Sequence, residues 1–426
     1  MTILTDRNAS ADADLAARGA LIGLTPTTQH DLRPHLAEHG VLPSLDAHDV
    51  RQLAEDSGLT GHGGAGFPLY RKLEAVFEAR GRAVVVANGA EGEPASAKDR
   101  WLLTRRPHLV LDGLQLVARA TQAADAYLYV NDQVPMAALN EVLAERRRTG
   151  VDRVAVKLAT APDAFISGEE SAVVSDLSGG AALPRMKQPR VTERGVRGRP
   201  TLVSNVETLA LLALIARRGA SWFREMGTSD APGTMLLTVG GAVNRPGIVE
   251  AHHGTPLADV LDMAGGTSRP LQAVLLGGYH GSWLTPDDLE SGRLSRSSLA
   301  PFGASPGAGV VVALAEGTCG LAEMSRVMSY LANESAGQCG PCLNGLPRIA
   351  EQVRSLAYRG GDRRAVDEML RLGGLVVGRG ACHHPDGSMR FLRSGLRVFA
   401  GEVELHLAGR CSGTSDEAVL PVPRGQ

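Results

Sequence analysis

Aromatic residues make up only 4% of the chain, so any site that needs stacked rings has few side chains to build it from. No stretch approaches 18 uninterrupted apolar residues, which gives no membrane-spanning helix and no direct membrane insertion. The net charge of −2 leaves no bulk basic footprint for nucleic acid. The opening residues, MTILTDRNASADADLAARGA, lack the basic start and apolar run of a secretory signal. They read as a frayed leader, and the expected location is cytoplasmic, either free or peripheral to a membrane complex. The five cysteines are an odd number in a chain of 426 residues. They argue against a disulfide framework and for metal binding or a reactive thiol. No internal repeat or extended low-complexity tract interrupts the sequence.

What is present points to several domains, since 426 residues exceed one ordinary core. Glycine is abundant at 51 residues, implying tight turns and close backbone approaches. From Arg82 a strand–helix rhythm runs through AVVVA at 83–87, a helical pattern at 107–118, AYLYV at 126–130, a helix at 134–147 and VAVKL at 154–158. Alternation of this kind predicts a parallel sheet in an α/β layer. GTMLLTVGGAVNRPGIVE at 233–250 holds two β-rich runs around an Asn-Arg-Pro-Gly turn, followed by a helix at 256–263 and a strand at 274–276. From Leu321 the apolar spacing is helical, with one stripe at Leu321, Met324, Val327, Met328 and Leu331 and another at Leu346, Ile349, Val353 and Leu356. The expected division is a leader and helix at 1–48, an α/β domain at 49–230, an α+β module at 231–310, a helical bundle at 311–410 and a loose tail at 411–426.

Gly58–Phe67 reads GLTGHGGAGF, and Gly61, Gly63 and Gly66 satisfy G-x-G-x-x-G. A dinucleotide loop normally follows a strand, but DVRQLAED at 49–56 reads as a helix, so the ordinary form of that motif fails. Bare backbone still favours a phosphate or a flat ring, and Lys72 one turn into the next helix offers a positive charge. An acidic cluster at Asn88–Pro94 (NGAEGEP) directly follows the first strand, where α/β ligand sites lie, and a second at Gly168–Glu170 (GEE) begins a helix after 165–167. They are equally able to serve as helix N-terminal charges. Cys339 and Cys342 have C-x-x-C spacing, and Cys382 lies in GRGACHHPDG. Thiolates so spaced suit an iron–sulfur cluster or zinc, or are relics of a lost site. Cys319 and Cys411 have no partner spacing and read as plain thiols.

GLTGHGGAGFP, then NGAEGEPASAKDR at 88–100, ISGEESAVVSDL at 166–177 and RPTLVSNVETLA at 199–210 occur in order. Together they resemble the flavoprotein subunit of respiratory complex I, which binds NADH and FMN, and its relatives in NAD-reducing hydrogenases and formate dehydrogenases. The resemblance implies a Rossmann-like FMN-binding domain, a β-grasp (SLBB) domain and a C-terminal helical bundle with an iron–sulfur site. It implies FMN contacts at Gly61, Gly63, Gly64, Lys72, Asn88, Glu91, Gly168, Glu169, Glu170, Asn205 and Thr208. NADH would lie against Phe67, Glu93, Glu170 and Lys187, and the cluster would be held by Cys339, Cys342 and Cys382. No side chain is expected to be catalytic, because the flavin carries the chemistry. The implied partner is a ferredoxin-type iron–sulfur carrier or a multisubunit redox complex.

The chain also departs from the family pattern. Ala90 stands where the motif has Asp, and Ser204 replaces an asparagine; each loses a hydrogen bond worth about 1 kcal/mol. Ala75 and Arg190 stand where aromatic rings flank adenine, a loss of about 1–3 kcal/mol per ring; Arg190 could stack on adenine, favour NADPH or simply be solvated. Ala336 occupies the first ligand position of the cysteine motif. The cluster would therefore be [3Fe–4S], or [4Fe–4S] completed by a substitute such as Cys319, His383, His384 or Asp386. The expected activity is an FMN-dependent NAD(P)H oxidoreductase of NADH dehydrogenase type. The alternatives are a flavin electron-transfer component fed by a ferredoxin-like protein, and a non-redox SLBB scaffold.

Overall fold

The computed structural model describes residues 20–24, 30–186, 188–359, 362–413 and 417–423. The leader at 1–19 and Lys187 lie outside the described residues. Four strands, β1 (Val84–Gly89), β2 (Asp125–Val130), β3 (Val156–Thr160) and β4 (Thr201–Asn205), form a wholly parallel sheet in the order β3-β2-β1-β4. Continuous apolar runs suit such strands because both faces are covered. Val85 and Ala87 face one core with Leu128 and Val130. Val84 and Val86 face another with Tyr127, Tyr129 and Val203.

On the first face, helices Pro107–Ala120 and Val206–Arg218 cross. Gly113 permits their close approach: a Cβ there would stand 2.0 Å from the carbonyl oxygen of Leu209. Between these helices the buried Asp112 carboxylate gathers His35, Arg146 and Arg217.

The second sheet has the order β6-β5-β9-β7-β8, from β5 (Thr234–Gly241), β6 (Gly247–His252), β7 (Leu271–Leu276), β8 (Ser282–Leu284) and β9 (Val310–Ala315). β5 and β6 are an antiparallel hairpin around the Asn-Arg-Pro-Gly turn, and β9 runs parallel to β5. The boundary expected at 310 falls at the start of β9, so this sheet extends to Ala315. One face packs on helix Leu257–Met263. The other, through Leu275, Trp283, Val312 and Leu314, packs on the C-terminal helices Gly320–Asn333, Leu346–Arg359, Arg363–Val376, His384–Val398 and Ala400–Leu407. Both expected apolar stripes are buried there.

The tail after Cys411 corrects an expectation. Its Ser, Thr, Pro and Gly content suggested looseness, yet Leu420 is 1% exposed. Its backbone N–H donates to Glu323 at 2.9 Å, its carbonyl accepts from Arg326, and the Tyr279 hydroxyl donates to Pro421 O. One buried leucine and three anchored backbone groups outweigh the composition of the flanking residues.

Candidate functional site

In the parallel sheet the chain moves from β1 to β2 on one side and returns to β4 on the other, so strand order reverses between β1 and β4. Ligands of open α/β sheets sit at the carboxyl ends of strands at such a point. There the register sets Asn88 opposite Asn205. The glycine loop lies over this edge: a Cβ on Gly63 would come 3.4 Å from Cβ of Asn205. Its neck is closed by Gly61 N–H donating to Phe67 O at 2.9 Å and Leu69 N–H to Leu59 O at 3.0 Å. His62 N–H donates to the buried Thr208 hydroxyl oxygen at 2.9 Å, so Thr208 holds the loop from beneath. Gly64 (φ 102°) and Gly66 (φ 60°) take left-handed backbone that other residues adopt at a cost.

Lys72 Nζ donates to Glu170 Oε1 at 2.8 Å and to Val203 O at 3.1 Å, with its side chain 26% exposed. Asn88 Nδ2 donates to Gly168 O at 2.9 Å. This fixes the loop after β1 against the loop after β3. Gly92 and Gly168 allow that contact, since a Cβ on Gly168 would stand 2.5 Å from Ala90 O and one on Gly92 2.3 Å from Phe165 O. Glu169 caps helix Glu170–Leu177, accepting from Ser171 N–H at 2.8 Å and Ala172 N–H at 3.1 Å. Glu91 caps helix Lys98–Arg105 through Asp99 N–H and Arg100 N–H.

Sequence reasoning did not single out the buried ion group behind this edge. Lys98 Nζ lies 2.7 Å from Asp99 Oδ1 and 2.9 Å from Glu207 Oε2. Burial works against its charge, but Asp99, Glu207 and Glu91 outweigh burial and hold the ammonium well above the lysine range. Asn205 Nδ2 donates to Asp99 Oδ2 at 2.6 Å, and Glu207 Oε1 accepts from Leu236 N–H at 2.7 Å, tying helix Val206–Arg218 to β5. The signal was a Lys-Asp pair at a helix start within 88–100, and a glutamate two residues after Asn205. Arg296 was also missed; its guanidinium donates to Gly64 O at 2.5 Å from the second sheet's side.

Among the expected NADH residues, Phe67 is 42% exposed on the rim. Glu93 is instead half-buried, with both oxygens engaged: Oε2 accepts from Tyr279 N–H at 2.7 Å and Oε1 from Ala95 N–H at 3.2 Å. Burial pushes its carboxyl up to about 7.

Of the three expected thiols, Cys339 and Cys342 are in direct contact, but among the described residues the three sulfurs of 339, 342 and 382 do not all lie within 4.8 Å of one another. Cys342 is hydrogen-bonded to Cys339, and burial, with Cys339 next, pushes it up to about 12. Burial also raises Cys382, with Glu169 and Cys339 adding to the effect. The named substitutes for a fourth thiolate are otherwise engaged. Cys319 Sγ faces His406 at 3.5 Å. His384 meets Leu331 O through Nε2 at 2.8 Å and His280 through Nδ1 at 3.1 Å. Asp386 accepts from Gly378 N–H at 2.7 Å and pairs with His383 at 3.0 Å.

The residues fit a flat phosphorylated cofactor: a glycine loop without side chains at 61, 63, 64 and 66 overhangs a pair of asparagine amides, with a lysine at the rim. The donor chemistry of thiolates at 339, 342 and 382 suits a cluster, and Ala336 stands at the sequence position of the motif's remaining ligand.

Comparison with known proteins finds three family matches along the chain. Residues 54–213 match the family described as the Nuo51 FMN-binding domain, residues 236–277 the SLBB domain, and residues 322–406 the NADH-ubiquinone oxidoreductase-F iron–sulfur binding region. The chain is 32% identical over 377 residues to an F-type subunit of the NADH-quinone oxidoreductase of Rhizobium meliloti, covering 85% of this chain and 89% of that one. It is 30% identical over 378 residues to the F-type subunit of the NADH-quinone oxidoreductase of Streptomyces coelicolor, covering 85% and 84%. A crystal structure of NAD+-reducing [NiFe]-hydrogenase in the H2-reduced state superposes with TM-score 0.80 at 30% identity. That match covers 90% of this chain and 66% of the hydrogenase chain, which is longer.

Proposed function

This chain belongs to the family of F-type subunits of NADH-quinone oxidoreductase, and on that premise we propose that it is an FMN-dependent NAD(P)H oxidoreductase that passes electrons through an iron–sulfur centre to a partner protein. One observation carries the reading: four sequence-distant motifs converge at the carboxyl edge of one parallel sheet, where Asn88 lies opposite Asn205 beneath a glycine loop. FMN, when bound, supplies the conversion between two-electron and one-electron transfer.

The protein's own part is positioning. Gly61, Gly63 and Gly64 let the cofactor approach the backbone, and Lys72 offers its charge to a phosphate. Asn88, Gly168 and Glu170 hold two loops at the pocket's edge. Glu91, Glu169 and Thr208 fix helix ends and the loop, so they shape the pocket through the backbone. Phe67 offers a ring face at the rim, and Glu170 takes part on both sides. Lys187 completes the proposed nucleotide side by position in sequence. Cys339, Cys342 and Cys382 would hold the cluster. No helix is long and apolar enough to cross a membrane among the described residues. Membership of a multisubunit redox assembly, or delivery to a ferredoxin-type carrier, supplies the partner.

A second reading is favoured by Glu93. Both its oxygens are occupied by backbone donors, and few rings stand ready for adenine. On this reading a reduced ferredoxin-like protein feeds the flavin.

The test is anaerobic purification with released-flavin assay and iron count. About one FMN and about three to four irons per chain are expected for these cofactors. A colourless protein that takes up neither flavin nor iron on anaerobic reconstitution would leave only the scaffold alternative.

A further inference from the structure

Three ligating side chains outside the cysteine group just described meet at the far end of the helical bundle. Cys319 precedes helix Gly320–Asn333, His406 lies in the last turn of helix Ala400–Leu407, and Cys411 opens the tail. Their ligand atoms all lie within 4.8 Å of one another. The spacing 319/406/411 carries no motif, which is why only the fold brings the three together. We propose that Cys319, His406 and Cys411 form a Cys2His site for a zinc-like divalent ion that clamps the start of the tail to the bundle.

The geometry supports this in four ways. First, Cys319 Sγ lies 3.5 Å from His406 Nε2. A tetrahedral zinc with its usual sulfur and nitrogen bond lengths sets those two atoms about 3.5 Å apart. Second, His406 Nδ1 faces the Leu356 carbonyl oxygen at 3.1 Å. Nδ1 therefore carries the ring proton, and Nε2 presents its lone pair to the sulfurs. A backbone acceptor behind the other ring nitrogen is how metal-binding histidines are held. Third, Ala322 N–H donates to Cys319 Sγ at 3.4 Å at the start of a helix, a setting that favours thiolate. Fourth, the 411–413 turn is pressed onto Cys319. Gly413 N–H donates to Cys411 Sγ at 3.2 Å, and a Cβ on Gly413 would stand 2.9 Å from Cys319 Cβ.

Cys319 and His406 are buried while Cys411 is exposed, so the site opens on the solvent side and water can take the fourth position. Binding releases one proton from each thiol, and the two thiolate charges then balance the divalent cation. The clamp lies directly before the segment whose Leu420 and Pro421 dock on Glu323 and Tyr279.

The test uses the full chain under anaerobic, reducing conditions. Zinc is stripped with a chelator, then added back while maleimide labelling of the exposed Cys411 is followed. The proposal expects about one zinc bound, slowing of Cys411 labelling by tenfold or more, and thiolate-to-metal charge-transfer bands with cobalt. Cys411→Ser, at an exposed position, should lose one equivalent of zinc while keeping the circular dichroism of the parent. His406→Gln should weaken binding at least tenfold. A Cys339→Ser/Cys342→Ser variant should keep the zinc; if it does not fold, the labelling rate in the parent decides. Labelling unaffected by zinc, an unchanged zinc count in Cys411→Ser, or a Cys319–Cys411 disulfide in the reduced preparation would overturn it.

Discussion

Glu93 Oε2 accepts a hydrogen bond from the backbone N–H of Tyr279 at 2.7 Å, joining the loop after β1 to the turn between β7 and β8. The same tyrosine's hydroxyl donates to Pro421 O. One carboxylate thus links the α/β domain, the second sheet and the C-terminal tail.

This linkage has a pH signature. Burial raises Glu93 from 4.5 to about 7 in the folded protein. Its protonated form is favoured on folding, so its contribution is complete below pH 4.5 and is lost as pH rises to about 7. Glu93→Gln removes that titration. Thermal unfolding of the two proteins should diverge in favour of Glu93→Gln between pH 5 and 8, by up to about 3 kcal/mol. A difference that stays flat over this range would show that Glu93 does not titrate as stated.

Lys72 is a rim residue with a partly exposed side chain. Lys72→Ala should leave folding intact and weaken FMN about 10–100-fold, the loss of a charge-assisted hydrogen bond of about 1.5–3 kcal/mol. Fluorescence titration of the flavin-stripped protein reads this directly, and equal affinities would remove Lys72 from the site.

In the sequence, Ala336 stands where the family's cysteine motif has a further thiolate. Ala336→Cys should raise iron from about three toward four per chain after anaerobic reconstitution and alter the cluster's paramagnetic signal. An unchanged iron count and spectrum would mean that another group already completes the cluster.

Asp112 is the acceptor for His35, Arg146 and Arg217, at 2.7, 2.7 and 2.5 Å. Asp112→Asn removes the carboxylate that faces the Arg217 guanidinium, while Arg146 keeps Asp152 at 2.8 Å, and should cost about 3–5 kcal/mol. Denaturant unfolding with a loss below about 1 kcal/mol would show that the network relaxes around the amide.

Local order was legible in the sequence, and long-range convergence was only partly so. The runs at 83–87 and 126–130 became β1 and β2 because continuous apolar residues suit strands buried on both faces, while the run at 154–158, which contains Lys157, gave the edge strand β3 (Val156–Thr160), none of whose residues is fully buried. The 321–331 and 346–356 stripes became buried helix faces because their spacing matches the helical period. Tail docking was hidden, since Leu420 is a single apolar residue among turn-formers. The Lys98, Asp99 and Glu207 group was hidden because it joins residues about a hundred positions apart. Cys319, His406 and Cys411 carried no spacing signal at all. The engagement of Glu93 depends on Tyr279, a residue in another domain, and no local pattern announces it.

Anaerobic titration of the FMN-loaded, full-length protein with NADH, followed by flavin absorbance, tests the central claim most directly. The account predicts stoichiometric bleaching by NADH or NADPH, with electrons appearing next on the iron–sulfur centre. Flavin that stays oxidised with both nucleotides, but bleaches with a reduced ferredoxin, would contradict it and establish the protein-fed reading instead.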